Sequence, residues 1–340
     1  MNNNPTTQET LIREVLEKDR CSACGACVGL CPYFTFFQGR VVALDRCSLS
    51  GGRCGQFCPH LRPNAALKED GPGRVLERWM TRAQAPGLRK KGQYGGTVTA
   101  LVLLALELDW VQEAVLTGTG KNGEPEGRVC RTRAEVLECA GSKYSGAGTL
   151  SALHPLLEAG GGRQGVVGTP CQITAVDNIR SYRSEQRLPV DTIALKIGLF
   201  CTWSLPYAQI RKILLEKGVT ETILKYDVPP PPAEEFRIFT RKSRVAIPLA
   251  ELRPLVPRGC LACGDMTAES ADIAVGSAEG VPGWNTVLIC TERGLELFRE
   301  ARSKNVLQVK PLPDENWEHL GTAVANKKKR ARAQEERSID

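Results

Sequence analysis

The sequence predicts an α/β fold in which a mixed sheet covered by helices follows a small, cysteine-rich N-terminal domain. Two observations predict it. Four cysteines stand within the eleven residues 21–31. From Gln93 onward, short apolar segments of high β-propensity alternate with helical patterns, which is typical of a mostly parallel or mixed sheet. The 340 residues leave room for both units.

The N-terminal domain, residues 1–62, is predicted to begin with a helix. Thr6 and Glu9 have the spacing of a capping box. An apolar stripe at helical spacing follows and ends near Lys18, and the cysteine-rich segment comes next.

The first cysteine run reads Cys-x2-Cys-x2-Cys-x3-Cys-Pro, the spacing of bacterial ferredoxins. Its cysteines are Cys21, Cys24, Cys27 and Cys31. A zinc knuckle or a disulfide pattern is the alternative, but zinc usually takes two separated Cys-x2-Cys pairs. The run therefore predicts a ferredoxin-like iron–sulfur domain.

A second, shorter run consists of Cys47, Cys54 and Cys58, with Pro59 after it. In the ferredoxin arrangement, Cys58 joins the first three cysteines of the first run, and Cys31 joins the second run. The second cluster then has three cysteines, and Asp45, His60, water or hydroxide is expected in the fourth position. A three-iron cluster, or one cluster plus spare thiols, remains open.

Residues 63–92 contain several prolines and glycines and are predicted to form a linker around one short helix. The large α/β domain is predicted over residues 93–325. Its expected strands are Glu113–Leu116, Gly165–Gly168, Thr192–Phe200, Ala271–Val275 and Thr286–Cys290. Helices are expected at Thr97–Glu107 and Gly294–Arg302, and residues 326–340 are expected to be a disordered basic tail.

Four cysteines of the large domain stand where α/β proteins assemble sites. Cys171 and Cys201 each follow a predicted strand, and Cys260 and Cys263 form a pair with ligand spacing. If these four cysteines converge, they would supply the four ligands of one further 4Fe-4S cluster. The rival interpretation is a redox-active Cys-x2-Cys pair with two structural cysteines.

Two glycine-bearing segments resemble cofactor loops. Gln93-Tyr-Gly-Gly-Thr97 opens a predicted helix, whose first backbone amides suit a phosphate. Gly141-Ser-Lys-Tyr-Ser-Gly146 puts a cation and hydroxyls in a turn. The sequence has neither a Gly-x-Gly-x-x-Gly fingerprint nor a Walker A loop, which argues against a Rossmann site and against P-loop hydrolysis.

The composition limits the location and the partners. The 14 cysteines come without a recognisable signal peptide, and the longest apolar run, Ala100–Leu106, is too short to span a bilayer. We therefore expect a cytoplasmic protein without a membrane span, in which clustered cysteines bind metal. The net charge of +7 lies partly in the C-terminal tail, and no nucleic-acid-binding signature accompanies it.

Several motifs together resemble the family of coenzyme F420 hydrogenase/dehydrogenase beta subunits over roughly residues 90–300. They stand in the family's order and are Tyr94-Gly-Gly96, Gly141-Ser-Lys-Tyr144, Gly168-Thr-Pro-Cys-Gln172, Gly198-Leu-Phe-Cys201, Cys260-x2-Cys263-x-Asp265, Ala271-Asp-Ile273 and Gly283-Trp284. The family includes subunits of deazaflavin-reducing hydrogenases and formate dehydrogenases, and hydroxymethyl chlorophyll a reductase.

The resemblance implies a flavin-binding α/β domain that holds FAD beside a 4Fe-4S cluster. It implies that Cys171, Cys201, Cys260 and Cys263 bind this cluster. The residues implied to contact the flavin are Tyr94, Gly95, Gly96, Thr97, Ser142, Lys143, Tyr144, Gly168 and Thr169. The short second cysteine run departs from the common two-ferredoxin pattern.

Two functions are expected from this set. The first is an electron-transfer subunit of an anaerobic oxidoreductase complex, with FAD and three 4Fe-4S clusters, which converts hydride chemistry to one-electron transfer. Its partners would be subunits of hydrogenase, formate dehydrogenase or heterodisulfide-reductase type, and its electron partner coenzyme F420, ferredoxin or a nicotinamide. The alternative is a self-contained, ferredoxin-dependent flavin reductase of an organic substrate; a cluster-based regulator is a weaker third.

Overall fold

The structure is a computed structural model that describes residues 6–49, 51–64, 71–182, 190–229 and 233–336. Its strands are β1 (Phe34–Phe37), β2 (Arg40–Ala43), β3 (Glu77–Ala83), β4 (Glu113–Thr119), β5 (Pro125–Cys130), β6 (Gln164–Gly168), β7 (Ile193–Leu199), β8 (Lys225–Asp227), β9 (Glu235–Phe239), β10 (Arg244–Pro248), β11 (Ile273–Ser277), β12 (Asn285–Ile289) and β13 (Leu307–Pro311). Its α-helices are α1 (Thr7–Leu11), α2 (Arg53–Phe57), α3 (Pro86–Lys91), α4 (Thr97–Glu107), α5 (Arg133–Glu138), α6 (His154–Ala159), α7 (Pro170–Ser181), α8 (Tyr207–Glu216), α9 (Leu249–Leu252), α10 (Arg258–Leu261), α11 (Glu292–Ser303) and α12 (Asp314–Glu336).

An eight-stranded mixed sheet forms the centre, in the order β13-β3-β12-β11-β7-β6-β4-β5. The neighbours β11, β7, β6 and β4 run parallel, whereas the outer pairings are antiparallel. Every residue of β6 is buried, as expected for a parallel strand covered on both faces. The predicted α/β class with a mixed sheet is confirmed, and all five predicted strands are present.

Helices cover both faces of this sheet. The apolar side of α4 packs with α5 and α11 on one face, where Leu101, Leu104 and Phe298 are almost fully buried. On the other face, α6 and α7 pack with residues of the N-terminal segment. The antiparallel strands β8, β9 and β10 form a separate small sheet, which carries its own apolar cluster with α8.

The N-terminal segment is attached to the large unit by backbone hydrogen bonds. Its capping box at Thr6 is present, and a π-helical turn, Ile12–Leu16, continues α1. The Leu150 amide donates to the Cys24 carbonyl at 3.1 Å, and the Gly148 amide donates to the Ala23 carbonyl at 2.9 Å. Phe57 is fully buried among residues of the large unit. The two predicted units therefore share a continuous packed surface.

The predicted linker over residues 63–92 is wrong in part. It contains α3, the expected short helix, but also β3, which lies inside the sheet between β13 and β12. The sequence pattern did not predict this strand, because β3 contains charged residues. Arg82 lies 4.5 Å above the ring of Trp284, and Arg78 lies 4.6 Å above that of Trp317, so their stems cover apolar surface.

The predicted disordered tail is also wrong for most of its length. Helix α12 runs through residue 336, while residues 337–340 lie outside the described part of the chain. Lys327 and Lys328 are only 4% and 2% exposed, and α12 packs on β11 and β12 through Leu320 and Val324. These lysines donate to buried acceptors. A run of basic residues in the sequence does not reveal such acceptors.

No helix in the described ranges is both long and apolar enough to cross a membrane. Among these helices α12 is the longest, and it carries the basic run Lys327–Arg330.

We expect Lys328→Met to destabilise the fold. The Lys328 ammonium lies 2.8 Å from the Glu269 carboxylate, and both side chains are almost fully buried. Breaking a buried pair leaves an uncompensated charge, so the free energy of unfolding should fall by about 3–5 kcal/mol. The matched control is Lys329→Met on the exposed side of α12, which should change stability by less than about 0.5 kcal/mol. Equal denaturant midpoints for the two variants would contradict the prediction.

Candidate functional site

Four cysteines of the large unit meet beside the ends of two neighbouring parallel strands. Cys171 lies in the first turn of α7, directly after β6, and Cys201 follows β7. Cys260 lies in α10, and Cys263 follows that helix. The Cys201 amide donates to the Met266 carbonyl at 2.9 Å, which ties these loops together. The structure thus brings the predicted set of four to one place.

Burial makes the thiols of Cys171 and Cys201 hard to ionise. It raises the pKa of Cys171 and the pKa of Cys201 to about 12 each, and the nearby thiols of Cys260 and Cys263 contribute to both increases. At Cys201 the Lys327 ammonium acts in the opposite sense and favours the thiolate. Metal ligands must be thiolates, so metal binding here would release protons.

The first N-terminal group is Cys21, Cys24, Cys27 and Cys58, which line one small hollow. Burial, and then the neighbouring cysteines, raise the pKa of Cys24 and Cys27 well above the usual value. The group is the one that the ferredoxin arrangement predicts, with Cys58 contributed by the second run.

The second N-terminal group is Cys31, Cys47 and Cys54. Burial raises the pKa of Cys54 to about 11, and the nearby Cys31 and Cys47 contribute to that increase. Gln8, a buried residue of α1, holds their loop: its amide nitrogen donates to the Asp45 carbonyl at 2.7 Å, and its oxygen accepts from the Cys47 amide at 2.6 Å.

The two candidates for the fourth position lie in different places. The Asp45 side chain is exposed and accepts from the Arg46 amide at 2.7 Å. His60 lines the hollow of the first group instead, together with Cys21 and Cys58. Its Nε2 is buried without a hydrogen-bond partner, and burial lowers the pKa of His60 to about 4. Of the two, only Asp45 belongs to the loop that carries Cys47.

All 14 cysteines lie in the described ranges and none forms a disulfide. Within those ranges, no three His, Cys, Asp or Glu side chains are close enough to hold a single metal ion.

A cavity of about 590 Å³ opens beside the four large-unit cysteines. All four of them line it, and its volume is that of a small-molecule or cofactor site. The predicted flavin contacts that line it are Tyr94, Gly96, Thr97, Ser142, Lys143, Tyr144 and Thr169. Of the predicted contacts, all of which lie in described segments, Gly95 and Gly168 do not line the cavity.

Helix α4 begins at the cavity wall. Gly96, with φ of +74°, precedes it, and no side-chain hydrogen bond from that position caps the helix. The Thr97 amide donates to the Asn285 side chain at 3.4 Å, and Val98 and Thr99 also line the cavity. The positive end of the helix dipole therefore faces a space that suits an anion.

Two tyrosines and a lysine shape the rest of the wall. The Tyr94 hydroxyl donates to the Asp227 carboxylate at 2.8 Å, and the Tyr144 hydroxyl accepts from the Val228 amide at 3.2 Å. Both rings are thereby anchored to the small sheet. Lys143 also lines the cavity, and burial lowers its pKa.

Sequence reasoning missed some residues of the site. Lys327 lines the cavity, although its position in a basic run suggested a solvated tail. Cys139 also lines it, and its sulfur lies 3.6 Å from that of Cys130. Both cysteines, like Cys290, are buried as predicted for core residues. No local spacing signalled the Lys327 contact, because α12 is brought to the site by tertiary packing alone.

The three cysteine groups lie one after another in space. Cys24 is close enough to Cys171, and Cys21 close enough to Cys260, for each pair to influence the thiol pKa. Cys54 in turn influences the pKa of Cys27 in the same way. The order is therefore the second N-terminal group, the first N-terminal group, the large-unit group and the cavity.

Comparison with known families identifies two matching regions, both from the beta subunit of coenzyme F420 hydrogenase/dehydrogenase. The family model for that subunit's N-terminal part matches residues 79–154. The model of its C-terminal part matches residues 161–315. The two matches cover most of the sheet and all four large-unit cysteines.

Similar proteins include subunits of coenzyme F420 enzymes. The chain is 30% identical to the coenzyme F420 hydrogenase subunit beta of Methanothermobacter thermautotrophicus, over 67% of this chain and 81% of that protein. It is 29% identical to a subunit of the F420H2 dehydrogenase of Methanosarcina mazei, over 94% and 92%. A chain of the F420-reducing [NiFe] hydrogenase complex from Methanosarcina barkeri has a similar structure, with a TM-score of 0.69 and 26% identity, over 76% of this chain and 91% of that one.

We expect Gly96→Ala to disturb the start of α4. A Cβ at Gly96 would lie 2.6 Å from the Leu88 carbonyl oxygen, and the residue's φ disfavours a side chain as well. The matched control is Gly160→Ala, where φ is +69° but a Cβ meets nothing within 4 Å. The control should lose about 1–2 kcal/mol of unfolding free energy, and Gly96→Ala about 2–5 kcal/mol. Denaturant unfolding checks this, and equal losses would refute the steric account.

Proposed function

Because this chain belongs to the family of coenzyme F420 hydrogenase/dehydrogenase beta subunits and is an oxidoreductase of that kind, we propose that it is the flavin- and iron–sulfur-containing electron-transfer subunit of an oxidoreductase complex. It would hold FAD in the cavity and an iron–sulfur cluster at each of the three cysteine groups. Its relatives are named as subunits of coenzyme F420 enzymes, which supports a deazaflavin as the hydride partner.

The observation that carries the proposal is that four thiols border the cavity that the predicted flavin contacts line. A redox-active Cys-x2-Cys pair needs only two thiols, and it explains neither the position of Cys171 nor that of Cys201. Four thiols around one space match the donor set of a 4Fe-4S cluster. The raised pKa values of Cys171, Cys201 and Cys263 are reversed by ligation, because iron replaces the proton.

The residues present fit both kinds of cofactor. Cys171, Cys201, Cys260 and Cys263 would bind the inner cluster, and the cavity would receive the flavin beside it. When bound, a flavin supplies two-electron hydride chemistry and iron–sulfur clusters supply one-electron transfer.

The chain's own groups prepare this site. The first turn of α4 and Lys143 offer positive potential to a pyrophosphate. The Thr169 hydroxyl lies 3.3 Å from the Cys171 sulfur, and the Ser204 hydroxyl lies 3.5 Å from the Cys260 sulfur. Hydrogen bonds to ligand sulfurs tune a cluster's reduction potential.

A partner subunit would dock near the second N-terminal group. This group lies at the far end of the series from the cavity. Exposed apolar side chains lie in its loop: Leu44 and Leu49 are each more than 60% exposed, and the Leu49 amide lies 3.4 Å from the Cys47 sulfur. Exposed apolar patches commonly mark protein interfaces.

We expect anaerobically prepared protein to contain roughly ten to twelve irons and matching acid-labile sulfide per chain, because three cubane or near-cubane clusters are proposed. Cys260→Ala should remove about four irons and leave the N-terminal clusters intact. The matched control is Cys290→Ala, which changes another buried cysteine and should keep the full iron content. Only about four irons in the unaltered protein would refute two N-terminal clusters.

The function is tested on anaerobically purified protein with and without its co-purifying chains. We expect one extractable FAD per chain. We also expect the protein to reduce a deazaflavin only when the partner chains are present, with nicotinamide and ferredoxin assayed as the alternative acceptors. Reduction of an organic acceptor by the isolated chain with ferredoxin would instead support the self-contained reductase. A fully metallated protein that contains no flavin would contradict the proposal and indicate a ferredoxin-like electron-transfer connector.

A further inference from the structure

Lys327 is a buried lysine whose ammonium group reaches the loops that carry the inner cysteine group. It stands on α12, far along the chain from those loops, and is 4% exposed. Its Nζ donates to the Cys201 carbonyl at 2.5 Å and to the Asp265 carbonyl at 2.6 Å. These two acceptors belong to separate loops of the same cysteine group. The ammonium therefore lies where the two loops meet.

A charge in this position needs a reason. Removing an ammonium group from water is costly unless opposite charge or several acceptors compensate it. Its two carbonyl contacts are neutral dipoles, and the buried Asp265 carboxylate is near enough to interact with it. A four-thiolate iron–sulfur cluster is an anion, and at this place it would add further compensating negative charge. The arrangement thus makes sense when the cysteine group is occupied.

The neighbouring charges leave Lys327 as the dominant cation. It favours the thiolate forms of Cys201 and Cys263, and among the charged side chains it has the largest effect on each. The buried Asp265 carboxylate opposes it at Cys263, but with a smaller effect. The next lysine, Lys328, pairs with Glu269, so that pair adds little net charge to the site.

We propose that Lys327 is an electrostatic positioning residue that joins the two loops of the inner cysteine group and raises the reduction potential of the cluster held there. This inference rests on the proposed function, because it requires a cluster at Cys171, Cys201, Cys260 and Cys263. Reduction adds negative charge to the cluster, and a buried cation nearby stabilises the reduced form more than the oxidised form. The position of α12 would thereby influence electron flow between the cavity and the N-terminal clusters.

The test measures cluster potentials by redox titration monitored by electron paramagnetic resonance, on anaerobic full-length protein. The inner cluster's signal is assigned first as the one that Cys260→Ala abolishes. Lys327→Met removes the charge, and Lys327→Gln removes the charge but keeps a hydrogen-bond donor. Lys327→Arg keeps the charge, and Lys329→Met removes an equal charge from the exposed side of the same helix.

We expect both neutral variants to make the inner cluster harder to reduce by about tenfold in the equilibrium constant, a shift of about 59 mV to more negative potential for one electron. The Arg variant should stay close to the unaltered protein, and Lys329→Met should leave all potentials unchanged. An unchanged inner potential in a neutral variant that retains its iron would overturn the inference and leave the proposed function standing. Loss of the inner cluster from both neutral variants would overturn the claim about the reduction potential, in favour of a lysine that only joins the loops. If the unaltered protein has no signal that depends on Cys260, the proposed function fails, and this inference fails with it.

Discussion

Close backbone contact between the N-terminal segment and the large unit is the constraint on which the rest of the site depends. Gly25, with φ of +86°, lies so near the Gly148 carbonyl that a Cβ would stand 2.3 Å from its oxygen. Backbone hydrogen bonds on either side of this contact hold the cysteine run against the 3₁₀ turn Thr149–Ala152. As a result, Cys24 lies near Cys171 rather than in a separate, tethered domain. Proximity of two redox groups is a condition for direct electron transfer, and here packing supplies it.

The same packing removes water from the thiols, and this has chemical consequences. Burial is the largest cause of the raised pKa at Cys171, Cys201 and Cys21. The thiols are therefore protonated until a metal or a cation compensates the thiolate charge. Most of that compensation would come from iron, with Lys327 adding a fixed positive charge at one edge. Folding, metal binding and proton release are then coupled, so the metal-free chain should be less stable than the loaded one.

Short-range patterns predicted much of this structure. The capping box at Thr6, helix Thr97–Glu107 and the five apolar strands depend on local spacing and apolar runs, and all are present. The cysteine grouping followed from ligand spacing. Strand β3 and helix α12 did not follow, because their charged residues are held by distant partners: Arg78 by Asp314 and Trp317, and Lys328 by Glu269. A local pattern records that a side chain is charged but not that a remote element covers it.

The three cysteine groups also differ in their surroundings, and the difference has a direction. Both groups contain half-buried cysteines, but the inner group borders the cavity and the buried Lys327, whereas the outer group lies beside the exposed Asp45. The harder oxygen ligand of Asp45 is therefore available to the outer group, where the cysteine count is three. Ligand hardness and nearby charge both alter the potential of an iron–sulfur site. The chain would thus vary potential along the series through one ligand and one lysine, while the cysteine ligands stay chemically the same.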